Sequence, residues 1–312
     1  MFMQGQKVGK YEIIRSLGSG GFGSVYLAKD VWLDIKVAIK VPHKQSLELY
    51  KLLKEPRLQA ALDHPNIVRL LAAEKVDKIF FFVMEYVRGR TLEKILQKEK
   101  TLDVPAAVDI LRQVAAGVEH AHKNKIIHRD LRPSNIMVSE EGQVKITDFG
   151  TSAWLQNVPY ATTRIGSPPY MAPEQFLGKA GFAADIYSMG CILYEMLVGR
   201  PPIYDPDPFK ILEKAQEGKI TPPRIKNMRI PRELDEIIMK CLAANLEDRF
   251  QRPGELLRAL AEIRGEKHAK SELDDILGRI RARERPSGDL CWNCRRPLPF
   301  RSRHCPYCGE TS

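Results

Sequence analysis

The sequence predicts an α+β fold with its strands gathered at the front of the chain and its helices behind them. Three observations carry this. Residues 11–41 read as strand, glycine turn, strand, strand, and Ile79–Met84 adds an apolar run of strand length. Beyond residue 91, apolar positions recur at helical spacing in 92–97, 104–122, 186–197 and 253–263. Residues 289–312 carry two Cys-x-x-Cys pairs and too few apolar positions for a core of their own, so they read as a separate small unit.

Taken in order, Tyr11–Ser16 is β-rich, and Gly18-Ser19-Gly20-Gly21-Phe22-Gly23-Ser24-Val25 follows it. Glycines let a backbone approach phosphates closely. A dinucleotide-binding turn shares this spacing but opens a helix, whereas Val25–Ala28 continues as a strand and Val37-Ala38-Ile39-Lys40 reads as the next one. Pro56 directly after Glu55 predicts a helix that begins or kinks there. Thr91 is placed to cap a helix over 92–97. The runs Ile136–Val138 and Val144–Thr147 flank Glu140-Glu141-Gly142 and predict a hairpin that brings Asn135 and Asp148 to one end, with Asp130 near. An amide and a carboxylate held together there suit Mg²⁺, which prefers oxygen ligands. The helix over 186–197 is ended by Gly199 and two prolines.

His128-Arg-Asp130-Leu-Arg-Pro-Ser-Asn135 with Asp148-Phe-Gly150 resembles the catalytic and metal-binding loops of eukaryotic-like (Hanks-type) serine/threonine protein kinases, and the glycine motif and V-A-I-K extend the resemblance over about residues 9–264. It implies a bilobal protein kinase fold, with a small β-rich lobe over about 9–86 and a large helical lobe over about 87–264. It further implies that Asp130 is the catalytic base, that Asn135 and Asp148 hold Mg²⁺ (or Mn²⁺) against the ATP phosphates, and that Lys40 contacts those phosphates while paired with Glu55. Gly18 to Gly23, Val25 and Ala38 would enclose ATP, Met84 stands at the gatekeeper position, and Glu85 and Val87 form the hinge against adenine. The segment Thr151–Met171 resembles an activation loop, with Thr162 and Thr163 as candidate phosphorylation sites and Arg129 as the phosphate partner. Asp185 would bind the backbone of the catalytic loop, and Arg249 would pair with Glu174. Gly166–Glu174 leans to Ser/Thr specificity, although Arg132 replaces the usual lysine and the proline four residues before Arg249 is replaced by Asn245.

Residues 265–288 are a charged linker with Leu273, Ile276, Leu277 and Ile280 at helical spacing, placed to pack on the kinase or on a partner or to stay solvated. Cys291, Cys294, Cys305 and Cys308 are spaced for one tetrahedral structural Zn²⁺, resembling a zinc ribbon, and Arg295, Arg296, Arg301 and Arg303 surround it. Such a basic ribbon suits a protein or a nucleic-acid partner alike. With 312 residues, 44% hydrophobic, the chain has room for one large or two smaller domains. It has no run of 18 apolar residues and no apolar secretory core at its start, so a cytoplasmic protein without a membrane anchor is expected. The net charge of +10 suits anionic partners, ATP among them. The rival to a kinase is a nucleotide-binding pseudokinase acting as a scaffold through its ribbon, which Pro56 beside Glu55 favours.

Overall fold

The computed structural model describes residues 2–20, 23–43, 54–149, 167–263, 275–280, 293 and 308, with residues 54–56 described in backbone only. Thr162, Thr163, Gly21, Phe22, Cys291, Cys294 and Cys305 fall outside this set, as do most of the linker and ribbon.

A six-stranded antiparallel sheet forms the small lobe, in the order β1-β2-β3-β4-β6-β5. Its strands are β1 (Lys7–Val8), β2 (Tyr11–Gly20), β3 (Gly23–Asp30), β4 (Ile35–Pro42), β5 (Leu70–Val76) and β6 (Ile79–Glu85). Alternation divides the side chains of this sheet between its two faces. Tyr11, Ile13, Tyr26, Val37, Ile39, Phe81 and Val83 form one buried cluster. Ala38, Val68 and Met84 form another, with Leu17, Val25, Leu70 and Val87 packed against it. Gly23 pairs with Pro42 across the β3–β4 ladder, and a Cβ there would lie 2.5 Å from the Val41 carbonyl oxygen, so only glycine fits. Helix α1 (Lys54–Ala60) includes Glu55 and Pro56.

The large lobe is helical. It comprises α2 (Leu92–Glu99), α3 (Val104–Lys123), α4 (Pro173–Phe176), α5 (Phe182–Val198), α6 (Pro208–Gln216), α7 (Pro223–Lys226), α8 (Arg232–Cys241) and α9 (Pro253–Ala261). Thr91 caps α2, its hydroxyl accepting from Lys94 N at 3.3 Å. Helix α3 buries Ala107, Ile110, Leu111, Val114 and Val118 along one stripe. Helix α5 is buried almost all round and closes on Gly199 at φ +87°. It starts at Phe182, four residues before the apolar run that marks it in sequence, just behind Gly181 in an extended conformation. A second small sheet, β7 (Gly89–Thr91), β8 (Ile136–Ser139) and β9 (Val144–Ile146), lies in the order β7-β8-β9. Among the described residues no helix is long and apolar enough to cross a membrane.

The helical residues 275–280 resolve one open alternative. Ile276, Leu277 and Ile280 are buried in the same apolar core as α3 and α5, so this part of the linker packs on the large lobe. Truncating Ile280 to Ala should therefore lower the unfolding free energy of the full chain by about 2 kcal/mol, the low end for a buried aliphatic. An unchanged urea midpoint would mean that the helix leaves the lobe in solution.

Candidate active site

The site forms where the two sheets meet. Residues Ile136 and Ile146 pair across the β8–β9 hairpin, and Thr147 N donates to the Asn135 carbonyl at 2.9 Å, so Asn135 and Asp148 stand at one end of it. Asn135 is buried, and its Nδ2 donates to the Asp130 carbonyl at 2.8 Å and to Asp130 Oδ2 at 3.1 Å. Lys40, 6% exposed on β4, places Nζ 2.8 Å from Asp148 Oδ1. Asp148 holds φ +62° and Arg129 φ +65°, left-handed conformations that cost non-glycine residues energy and cluster at functional sites.

Asp130 has two further constraints. Ser167 Oγ donates to Asp130 Oδ1 at 3.1 Å, and Ser167 in turn receives Arg132 Nη1 at 2.6 Å. Arg132 Nε reaches Ser134, so the arginine that stands in place of lysine is held from both sides. Burial pushes the Asp130 carboxyl above the usual range, against Arg132, His128 and the hydrogen bonds from Ser167 and Asn135, which pull it back. Asp148 goes the other way. Burial would raise it, but the Lys40 ammonium, by charge and hydrogen bond, holds it below the ordinary value. One carboxyl is thus biased toward taking a proton and the other toward staying charged.

The catalytic loop hangs from the large lobe through Asp185, which is fully buried in the first turn of α5. Its Oδ2 accepts from His128 N at 2.8 Å and its Oδ1 from Arg129 N at 2.8 Å. His122 Nε2 lies 2.8 Å from Asp185 Oδ2. Burial would raise the Asp185 carboxyl, yet the His122 hydrogen bond and charge hold it below its ordinary value. His128 bridges Asp130 N, through Nδ1 at 3.2 Å, and the Thr147 carbonyl, through Nε2 at 2.8 Å, and its ring packs on buried Phe149 with centroids 4.7 Å apart.

Above these groups, Leu17, Val25, Ala38, Val68, Leu70, Met84 and Val87 make one apolar surface. A Cβ added at Gly18 or Gly20 would meet no atom within 4 Å, so the space beside the glycine strand is open. The Glu85 carboxylate accepts from Arg69 N and Lys145 Nζ, both at 2.8 Å. Tyr86–Arg88 lies between β6 and β7, so the Val87 backbone is outside strand pairing. In the large lobe, Arg249 makes a two-pronged pair with Glu174, at 2.8 and 3.1 Å.

The structure therefore gathers Asp130, Asn135, Asp148 and Lys40, sets Val25, Ala38, Met84 and Val87 beside them, and pairs Glu174 with Arg249. The Glu55 side chain lies outside the described residues, and of the four cysteines only Cys308 is described, exposed to solvent. Sequence reasoning assigned no role to His122, Leu17, Val68 or Leu70, and named Ser167 only as part of the Gly166–Glu174 segment. Leu17 alone had a local signal, its place before Gly18 on the β2 strand.

Among the described residues no three His, Cys, Asp or Glu cluster to hold a metal. Asn135 and Asp148 offer two protein donors, which fits Mg²⁺ completed by phosphate and water better than an all-protein cage.

Comparison with known proteins agrees with this geometry. The protein kinase domain family matches residues 11–259. The serine/threonine-protein kinase PrkC of Bacillus subtilis is 34% identical over 250 residues, 78% of this chain and 39% of its own. The serine/threonine-protein kinase PknB of Mycobacterium tuberculosis is 33% identical over 267 residues, 81% of this chain and 43% of its own. The chain thus spans about two fifths of the length of these curated relatives. A family match over this span takes in the glycine strand, the Asp130–Asp148 hairpin and the Glu174–Arg249 anchor together, and on that ground the chain belongs to the protein kinase domain family.

Proposed function

We propose that this chain is a serine/threonine protein kinase, transferring the γ-phosphoryl group of ATP to protein hydroxyls. The observation that carries the reading is the convergence of Asp130, Asn135, Asp148 and Lys40 at the edge of one apolar surface, with the two carboxyls biased in opposite directions. Adenine would rest against Ala38, Val25 and Met84, with hydrogen bonds from the hinge backbone, and the phosphates would lie beside Gly18–Gly23 and Lys40. Asn135 and Asp148 would hold Mg²⁺ (or Mn²⁺), which when bound neutralises charge developing on the phosphates. Asp130 orients the acceptor hydroxyl and takes its proton as the oxygen bonds to the γ-phosphorus. The bond from that phosphorus to the β–γ bridging oxygen breaks, and ADP leaves. Phosphoryl transfer is mostly positioning and charge stabilisation, which these fixed groups supply.

The reading extends to autophosphorylation at Thr162 or Thr163, with Arg129 as the phosphate partner, and to one structural Zn²⁺ held by Cys291, Cys294, Cys305 and Cys308 in a ribbon that docks partners. The test is intact mass after phosphatase treatment and incubation with Mg²⁺-ATP. Wild type should gain mass in steps of one phosphate, and Asp148→Asn should gain none. No gain by the wild type on itself or on a generic serine substrate would overturn the kinase reading. Native mass spectra should show one Zn²⁺ per chain, lost in Cys305→Ser.

Ser167→Ala carries a pH signature. A base works only when deprotonated, so kcat/KM should fall as pH drops through the raised Asp130 value. The Ser167 hydrogen bond opposes that rise. Removing it should move the acid limb to higher pH, and Ser167→Thr should leave the limb in place. An unmoved limb in Ser167→Ala would detach Ser167 from the proton.

A further inference from the structure

An open cavity of about 450 Å³ lies on the large lobe, between the end of α5 and helices α6 and α7. Four cationic side chains line it: Arg200, Lys214, Lys219 and Lys226. Lys214 is held by Asp205 at 3.0 Å and Lys219 by Glu217 at 2.9 Å, partly exposed pairs of small worth. Arg200 and Lys226 are exposed and have no carboxylate partner among the described residues. The one carboxylate lining the cavity, Glu195, is engaged elsewhere, its Oε2 accepting from Tyr170 Oη at 2.6 Å. Of the stretch from Lys219 to Arg232, which holds no acidic residue, Lys219 and Lys226 line the cavity, while Arg224, Arg229 and Arg232 lie outside its lining and Arg232 pairs with Glu236 at 2.9 Å. Tyr204, 71% exposed, adds an aromatic surface at the cavity.

A chain of hydrogen bonds joins the wall of this cavity, at Glu195, to the proposed reacting centre. Tyr170, which holds Glu195, belongs to the same short turn as Ser167, its N donating to the Ser167 carbonyl at 2.9 Å. Ser167 in turn donates to Asp130 Oδ1.

We propose that this cavity is a docking subsite for an acidic segment of the protein substrate, with Arg200 and Lys226 as its main charge contacts. The inference rests on the kinase reading for the identity of its occupant. Charge complementarity selects an acidic partner, and the link to Asp130 favours a peptide substrate. The cations gather in one depression rather than along a track that would follow a nucleic-acid backbone.

The test uses the full chain without ATP, so it does not depend on catalysis. Fluorescein-labelled serine peptides flanked by a run of glutamates, or by glutamines in their place, are titrated at low salt and read by anisotropy. The glutamate peptide should bind about tenfold more tightly, the yield of a few exposed charge contacts. R200E/K226E should erase the difference, and K7E/K36E, an equal charge change on the small lobe, should preserve it. Equal binding of the two peptides by wild type would overturn the proposal, as would a preference that survives R200E/K226E. So would displacement of the glutamate peptide by a DNA oligonucleotide of equal charge as readily as by the unlabelled peptide. With Mg²⁺-ATP added, R200E/K226E should phosphorylate the glutamine peptide with wild-type kcat/KM. Intact glutamate preference without any phosphorylation would refute the kinase reading and leave the subsite standing.

Discussion

Asp130→Asn should lower kcat for phosphoryl transfer by about 10²–10⁴-fold, the contribution of a positioned general base, while nucleotide affinity stays close to wild type. The amide keeps the shape of the carboxylate but cannot take a proton, and it cannot accept from Ser167 and Asn135 at once. The proposed nucleotide contacts lie elsewhere, on the Ala38–Met84 surface and at Lys40. A second readout separates chemistry from folding. Burial raises the Asp130 carboxyl in the folded chain. An acid raised on folding loses stability as pH climbs through its folded value, so at neutral pH the ionised Asp130 is held at a cost. The neutral asparagine relieves that cost, and the melting temperature of Asp130→Asn should equal or exceed that of wild type. Lower stability with activity retained would make Asp130 a structural residue and remove it from the proposed mechanism.

The parts of the site legible in the sequence are those built from local contacts. The β8–β9 hairpin was legible because its strands and turn are local, and local chemistry puts Asn135 and Asp148 at one end. The glycine strand was legible because a strand rather than a helix follows it, and at Gly23 an added Cβ would lie 2.5 Å from the Val41 carbonyl oxygen. What was not legible depends on contacts distant in sequence. Gln59 is a polar residue buried in α1, 3% exposed, and its Nε2 donates to the Val68 carbonyl at 2.9 Å, nine residues away. His122 repeats no motif and acquires its role only because α3 packs on α5 beside Asp185. Ser167 lies 37 residues from the carboxylate it steadies. The stripe Ile276, Leu277, Ile280 was visible, but whether such a stripe meets the lobe, a partner or water is a tertiary matter.

Arg249→Ala should cost about 3–5 kcal/mol of stability, the loss seen when one partner of a buried ion pair is removed. The Arg249 side chain is fully buried and that of Glu174 is 12% exposed. The guanidinium serves more than the carboxylate. Its Nε donates to the Ala243 carbonyl at 2.6 Å, Nη2 to Ala244 at 3.2 Å and Nη1 to Ala183 at 3.4 Å, and it stacks over Tyr187 at 5.0 Å. Alanine would leave these carbonyls and Glu174 without their donor in a water-poor interior. Lysine supplies charge but no planar fork, so Arg249→Lys should recover only part of the loss. Glu174→Gln should cost less than Arg249→Ala, because the guanidinium keeps its carbonyls. The effect should reach the proposed site as well. Glu174 sits in α4 beside Gln175, whose Nε2 donates to the Arg129 carbonyl at 2.5 Å, one residue before Asp130. Loosening α4 should therefore lower kcat as well as the urea midpoint. A double-mutant cycle over Arg249 and Glu174 decides between a mutual pair and a carbonyl anchor. A coupling energy near zero would mean that Arg249 holds the 243–249 loop through its carbonyls and that its pairing with Glu174 adds nothing to the fold.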